Sequence, residues 1–280
     1  MKNVFTVDVE DYFQVQAFAD VVDPARWDAY QSRVVKNTTT ILDLLEERGV
    51  TGTFFVLGWV ARRNPQLVRQ IVRAGHEVAS HGMSHRMITT QSATDFRKET
   101  RDSKNILEDL CQQPVIGYRA ATYSITRKSL WALDILCEEG FKYDSSIFPM
   151  RHDNYGIPEA NPLPHRLTTP GKASIVEFPI SVLQRLGLTI PIAGGGYFRL
   201  FPYWFTRWAL RELNDANQAF VFYIHPWEVD PEQPRIEKAR LTSRFRHYQN
   251  LDQCSTRLRR LLEDFEFTTM RSVLAQEGLL

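Results

Sequence analysis

The stretch TTTILDLLEERGVTGTFFVLG (residues 38–58) joins an amphipathic, helix-like half to an apolar, extended half. The same order recurs in PQLVRQIVRAGHEVASHG (65–82) and in TRKSLWALDILCEEGFKYDSS (126–146). A glycine suited to the left-handed position after a helix ends each helical half: Gly49, Gly75 and Gly140. Each stretch therefore predicts a helix, a tight turn and a strand.

Strands that alternate with helices favour parallel pairing, because a parallel crossover needs a long connection. Further strand candidates are NVFTVDV, PVIGYRA, SIVEFPI, AFVFYIH and FEFTTM. About seven or eight strands favour an α/β fold with a closed or nearly closed barrel, with a doubly wound open sheet as the alternative. We expect one domain over residues 1–280, with a loop-rich insertion around 149–202 and a C-terminal helical extension around 235–280.

The composition excludes several classes of protein. The 280 residues are 43% hydrophobic and carry a net charge of +1 with scattered charges, so no nucleic-acid partner is indicated. The three cysteines lie far apart, which argues against a disulfide framework and favours a reducing compartment. The N-terminal residues lack a signal-peptide pattern and no apolar run is long enough to span a bilayer, so a cytoplasmic protein is expected.

Polar residues cluster where the predicted strands end. In barrels of this class the chemistry gathers at the carboxyl ends of the strands. Five of these ends carry the candidate site residues: Asp8, Glu10 and Asp11; His81 and His85; Arg119; Asp144; His225. Because these ends meet on one side of a barrel, we expect the side chains to form one site.

His81 and His85, in SHGMSH, are four residues apart, so both imidazoles can bind one cation. Such a pair also occurs often by chance as two unrelated histidines. Two imidazoles and one carboxylate, with coordination positions left open, match a catalytic zinc site. A carboxylate that completes the pair therefore decides between the two interpretations.

The first strand ends in three carboxylates that can take separate roles. Asp8 and Glu10 are two apart and share a face of the strand, whereas Asp11 joins them only if the strand end kinks. One carboxylate should bind the metal and another should act as a base. Spacing favours Glu10 as the metal ligand, and Asp11 remains the alternative. Asp8 lies inside the apolar run and would need a partner if buried.

Arg119 is the candidate partner of Asp8, since a buried guanidinium holds a carboxylate ionised and fixes its orientation. His225 precedes Pro226 and Trp227 in an apolar setting, where a pKa near neutrality would suit a general acid. Tyr123 and Trp227 are candidates for stacking on a sugar ring, and core or rim packing is an equal alternative.

These motifs, in this order, resemble those of the NodB-type polysaccharide deacetylases, the fourth carbohydrate esterase family. TVDVED, SHGMSH, RAATYS, YDSS and YIHPWE are similar to the five family motifs. EFPISV, GGGYFRLFP and the tail after residue 235 resemble the deacetylases that accompany exosortase-type exopolysaccharide loci. The resemblance covers essentially the whole chain.

The resemblance implies a distorted, incomplete (β/α) barrel of about seven parallel strands and a divalent metal, usually zinc. It implies hydrolysis of N-acetyl groups on hexosamine units of a polysaccharide or a lipid-linked precursor. Asp8 corresponds to the base and His225 to the acid, with Arg119 orienting Asp8 and Asp144 orienting His225. The departure is in the first motif, where the family usually has two adjacent aspartates and this chain has Asp8, Val9, Glu10 and Asp11.

Three alternatives stay open on the sequence. One is a metal-independent amidohydrolase of the same barrel that acts on a small or cyclic amide. Another is a non-catalytic carbohydrate-binding barrel, which the retained polar residues argue against. The third concerns the basic segment RLTSRFRHYQNLDQCSTRLRRLLEDF (residues 240–265). This segment either touches the inner face of a membrane or is a solvated helix packed on the barrel.

Overall fold

A computed structural model describes residues 1–152 and 155–280. Within these ranges the strands are β1 (Lys2–Val9), β2 (Thr53–Val56), β3 (Glu77–Ser80), β4 (Gly117–Tyr118), β5 (Tyr143–Asp144), β6 (His165–Thr168), β7 (Ser174–Glu177), β8 (Val182–Arg185), β9 (Leu188–Pro191), β10 (Val221–Ile224) and β11 (Glu266–Thr268). The α-helices are α1 (Val34–Glu46), α2 (Gly58–Arg63), α3 (Pro65–Arg73), α4 (Ala93–Cys111), α5 (Trp131–Glu138), α6 (Gly195–Leu200), α7 (Tyr203–Asp215), α8 (Leu241–Tyr248), α9 (Leu251–Asp264) and α10 (Met270–Gln276).

The main sheet has the strand order β10-β1-β2-β3-β4-β5-β7-β6. Its first seven strands are parallel, β6 is antiparallel to β7, and β11 pairs in parallel with the start of β1. In the described part of the chain the two end strands, β10 and β6, do not pair with each other, so the sheet curls without closing. The predicted α/β class with a distorted, incomplete barrel is confirmed.

The helix–turn–strand units form as the sequence predicts. Gly49, Gly75 and Gly140 adopt φ values of 62°, 79° and 85°, which residues with a Cβ rarely adopt. Each glycine ends a helix and turns the chain directly into the next strand. The units thereby bring the carboxyl ends of successive parallel strands to one side of the sheet.

β1 is an interior strand of the sheet, because β10 and β2 flank it. Every residue of β1 after Lys2 is buried, and Phe5 is fully inaccessible to solvent. Burying such a side chain contributes about 1.5–3 kcal/mol. This buried, doubly flanked strand therefore positions the carboxylates at its end.

The predicted insertion and extension both carry regular structure. Residues 149–202 include β6, β7, α6 and the separate β8–β9 hairpin, and residues 153 and 154 of this range lie outside the described part. Residues 235–280 contain α8, α9 and α10 as well as β11, which pairs with β1. The division into one domain stays a prediction. Among the described residues no helix is long and apolar enough to cross a membrane.

Candidate active site

Asp8 lies at the end of β1 with its side chain 2% exposed. Arg119, fully buried, donates from Nη1 to Asp8 Oδ1 over 2.7 Å. The remaining donors of the guanidinium bind Thr6 Oγ1, Ser145 Oγ and the Ser145 carbonyl at 2.8–3.1 Å. Because all three nitrogens of this guanidinium donate hydrogen bonds, Arg119 is fixed in position, and it in turn orients Asp8 through their ion pair.

Glu10 lies two residues further along the same face and meets the histidine pair. The ligand atoms of Glu10, His81 and His85 all lie within 4.8 Å of one another. His85 adopts φ 52°, a left-handed conformation that is rare outside glycine and brings its ring to 5.3 Å from that of His81. Its Nε2 is 2.6 Å from Glu10 Oε2. Strained backbone of this kind is typical of functional sites.

The donor set suits a divalent cation. His81 Nδ1 lies 2.9 Å from the Arg119 carbonyl oxygen. Because a carbonyl oxygen only accepts hydrogen bonds, the proton is on Nδ1, and Nε2 has a free electron pair for a cation. Burial lowers the pKa of His81 to about 4, so this imidazole is neutral, as a metal ligand must be. Burial opposes ionisation of Glu10, but the charge and hydrogen bond of His85 and the charge of His225 lower its pKa to about 2. Two imidazole nitrogens and one carboxylate oxygen therefore fit a cation such as zinc.

His225 follows β10 and faces both carboxylates. Its Nε2 lies 4.0 Å from Asp8 Oδ2 and 3.8 Å from Glu10 Oε1. Its Nδ1 lies 2.7 Å from Glu228 Oε1. Burial opposes protonation, but the hydrogen bond to Glu228 and the charges of Glu10, Glu228 and Asp8 raise the pKa of His225 to about 9. The sequence predicts a value near neutrality; the difference arises because three carboxylates surround the ring.

A cavity of about 150 Å³ lies between these groups. Tyr123 and Trp227 both line it, as do Asp8, Glu10, His81, His85 and His225. The Tyr123 hydroxyl approaches Asp8 Oδ2 at 3.5 Å, whereas its backbone N–H donates to the Ala120 carbonyl. Trp227 donates from Nε1 to Glu10 Oε1 over 3.3 Å and stacks on His225 at 5.1 Å. Both aromatic residues thus contact the polar groups as well as the space for a substrate.

Asp11, the alternative metal ligand, points away from this cluster. Its Oδ2 accepts hydrogen bonds from Ser32 Oγ at 2.7 Å and from the backbone N–H groups of Arg33 and Val34 at 2.9 and 3.2 Å. These donors lie at the start of α1, whose first N–H groups have no partner within the helix. Asp11 therefore caps α1, and the structure brings Glu10 alone of the two to the histidines.

Asp144 differs from its predicted role as the group that orients His225. Its carboxylate accepts from Ser146 Oγ at 2.6 Å and pairs with Glu177. Burial raises the pKa of Asp144 to about 6, and burial together with the charge of Asp144 raises the pKa of Glu177 well above its usual value. We infer from these raised pKa values that the two carboxyl groups share a proton. The carboxylate that contacts His225 is that of Glu228.

Sequence reasoning missed Glu228 and its partner Arg199. Glu228 is fully buried, accepts from Arg199 Nε over 2.6 Å and also accepts from the His225 backbone N–H. Its spacing of three residues from His225, in HPWE, is a capping-box pattern and was a usable signal. Arg199 gave no such signal, because 29 residues separate it from Glu228 and only the fold brings them together.

Two family models match the chain. Residues 27–136 match the model described as polysaccharide deacetylase, and residues 145–275 match a domain of unknown function, DUF3473. The chain is 33% identical over 99 residues to a chitooligosaccharide deacetylase of Sinorhizobium fredii, covering 35% of this chain and 44% of that protein. It is 33% identical over 79 residues to a peptidoglycan-N-acetylglucosamine deacetylase of Bacillus cereus, covering 28% and 37%. The alignments thus span less than half of either relative.

Solved structures share the fold. A structure titled probable polysaccharide deacetylase from Pseudomonas aeruginosa PAO1 matches with a TM-score of 0.62 at 17% identity, over 98% of this chain and 89% of that one. The PuuE allantoinase matches with a TM-score of 0.61 at 16% identity, over 96% and 87%.

The fold and the polar cluster place the candidate site at the carboxyl ends of the parallel strands, where barrels of this class carry their active sites. Residues 27–136 match the polysaccharide deacetylase model and the curated relatives are deacetylases, which agrees with the resemblance that the motifs indicate. The subgroup that accompanies exosortase-type loci stays a prediction.

Proposed function

We propose that the chain removes N-acetyl groups from hexosamine units of a bacterial exopolysaccharide or of its lipid-linked oligosaccharide precursor, in the cytoplasm at the inner face of the membrane. One observation carries the reaction class. A candidate base, a candidate acid and a candidate metal site converge on one cavity from the ends of β1, β3 and β10. The deacetylase relatives supply the substrate class, an N-acetylated saccharide.

Glu10, His81 and His85 would hold the cation. When bound, a divalent metal, zinc for this donor set, supplies a Lewis acid that polarises the acetamide carbonyl and lowers the pKa of water. The hydrogen bond from His81 Nδ1 to the Arg119 carbonyl orients the His81 ring for this role, and the hydrogen bond from Trp227 Nε1 orients the Glu10 carboxylate.

Asp8 is the proposed base. It takes one proton from the water that attacks the acetamide carbon, and the water oxygen becomes part of the acetate product. Arg119 pairs with Asp8 through Oδ1 and so orients the carboxylate, whose Oδ2 faces Tyr123 and His225. The Tyr123 hydroxyl, 3.5 Å from Asp8 Oδ2, completes this wall of the cavity.

His225 is the proposed acid. Its pKa of about 9 keeps the imidazole protonated at neutral pH, and Nε2 faces the cavity while Nδ1 is bound to Glu228. It gives its Nε2 proton to the sugar nitrogen as the carbon–nitrogen bond breaks, so the products are an amine and acetic acid, which ionises to acetate in solvent. Asp8 then loses its proton and His225 regains one by exchange with solvent. The imidazoles of His225 and His247 both stack on Trp227. We therefore assign two roles to Trp227: it positions His225, and it contacts the sugar.

Acetate release from N-acetylglucosamine oligomers in the presence of zinc tests this proposal. Replacing Asp8 by Asn removes the base, and replacing His81 by Ala removes a metal ligand; each should lower the rate by about 10²-fold or more. Unchanged rates in both variants would refute the scheme. Activity on a cyclic amide that persists in metal-free protein, and is insensitive to a chelator, would instead support the metal-independent amidohydrolase.

A further inference from the structure

Helix α8 exposes two large apolar side chains one turn apart. Leu241 is 79% exposed and Phe245 is 65% exposed. Residues four apart lie on the same face of a helix, so the two form one apolar strip that faces away from the barrel. An exposed apolar strip on a folded protein is typical of an interaction surface.

Cationic residues flank this strip in the sequence, and two of them, Arg235 and Arg244, line the same cleft as Leu241 and Phe245. Residues 235–246 contain one carboxylate, Glu237, and five cations: Arg235, Lys238, Arg240, Arg244 and Arg246. Only Arg244 of these cations is half-buried; the other four are exposed. Arg240 also pairs with Asp20 at 2.8 Å, and the cations still outnumber the carboxylates. The surface therefore complements a partner that is both apolar and negatively charged.

The opposite face of α8 packs beside the candidate active site. His247 stacks on Trp227 at 4.0 Å, and Trp227 in turn stacks on His225 at 5.1 Å. His247 also contacts Phe18 at 4.6 Å, in a short turn whose Gln16 lines the active-site cavity. A partner bound to α8 would lie next to the wall of that cavity.

We propose that α8 docks this chain on the surface of an anionic lipid bilayer. Leu241 and Phe245 enter the boundary between headgroups and acyl chains, and the cations of residues 235–246 bind the negatively charged headgroups. Helices with a cationic rim and exposed leucine and phenylalanine bind bilayers in this way. The docking itself is independent of the reaction; its use, delivery of a lipid-linked substrate to the cavity, rests on the proposed function.

Sedimentation with vesicles tests the docking on the full chain without substrate. We expect the protein to sediment with vesicles of phosphatidylglycerol and phosphatidylcholine and to remain largely unbound with phosphatidylcholine alone. The double variant Leu241→Ser/Phe245→Ser should reduce the partition coefficient at least about tenfold. Arg244→Gln should reduce it about fivefold, as expected for one cation near an anionic surface.

The β8–β9 hairpin offers matched controls, because Leu186 and Leu188 are 94% and 65% exposed there and Arg185 is paired with Glu212. Leu186→Ser/Leu188→Ser and Arg185→Gln should leave vesicle binding unchanged. Absent binding by the wild type, or equal losses in the hairpin variants, would overturn the proposal. So would concentration-dependent dimerisation that Leu241→Ser/Phe245→Ser abolishes, without vesicle binding, because a second copy would then be the partner.

Two measurements separate this proposal from the proposed function. Leu241→Ser/Phe245→Ser should release acetate from a soluble oligomer at the wild-type rate, which also shows that the variant is folded. Protein that binds vesicles but releases no acetate would refute only the deacetylase proposal. Protein that releases acetate but binds no vesicle would refute only the docking.

Discussion

Glu10 and Asp11 are neighbours in sequence but make different contacts in the structure, and replacing each by its amide tests the two roles separately. Glu10→Gln removes the carboxylate of the candidate metal cluster. Even a residue that only supports a metal ligand typically contributes 10–100-fold to affinity, so losing this ligand should weaken zinc binding by at least about 100-fold. Asp11→Asn should leave the Kd for zinc within about twofold, because its side chain points to α1.

For the free energy of unfolding the order is reversed, and Asp11→Asn should have the larger effect. Asp11 Oδ2 accepts three hydrogen bonds at the start of α1, and hydrogen bonds to a charged group contribute about 1.5–3 kcal/mol each. An asparagine keeps one acceptor oxygen, so we expect Asp11→Asn to lower the free energy of unfolding by about 2 kcal/mol. That corresponds to a fall in Tm of about 4–8 °C.

Isothermal titration with zinc and thermal unfolding, with and without zinc, measure both quantities. Zinc at 100 times its Kd should add about 2.7 kcal/mol to the stability of the wild type and of Asp11→Asn. It should add much less to Glu10→Gln at the same concentration. A loss of zinc affinity in Asp11→Asn as large as that in Glu10→Gln would refute the assignment of the two carboxylates.

Two further predictions concern buried carboxylates around the site. Glu228→Gln keeps an acceptor for His225 Nδ1 but removes one of the three carboxylate charges that raise the pKa of His225. In steady-state kinetics kcat should fall about 10–100-fold with little change in KM, and an unchanged kcat would exclude a role of Glu228 in positioning His225. The Asp144–Glu177 pair has raised pKa values, so its stabilisation is full below about pH 4 and is lost as pH rises through about 6 and beyond. Urea unfolding at pH 5 and pH 8 should show a smaller loss of stability in Glu177→Gln than in wild type, and equal losses would contradict the shared proton.

The parallel sheet was predictable because its signals are local. Glycine after each helix and an apolar run after each glycine are visible within about twenty residues, and Gly49, Gly75 and Gly140 have the expected positive φ values. The convergence of Asp8, Glu10 and the histidine pair followed from strand ends meeting on one side of the sheet.

The parts that sequence did not yield depend on contacts between distant segments. The cap that Asp11 provides involves residues more than twenty positions away, so spacing alone left it as a metal candidate. Arg199 meets Glu228 across 29 residues. The raised pKa of His225 depends on three carboxylates from two strand ends, which sequence patterns do not place at distances of 2.7–4.0 Å.

Metal-dependent deacetylation with Asp8 as the base is tested most directly by acetate release from an N-acetylglucosamine oligomer. The protein is first stripped of metal and then reloaded with zinc. We expect chelation to abolish release and zinc to restore it in the wild type, and we expect Asp8→Asn to bind zinc with wild-type affinity yet remain inactive. Release at the wild-type rate by zinc-loaded Asp8→Asn, or by chelated wild type, would contradict this mechanism.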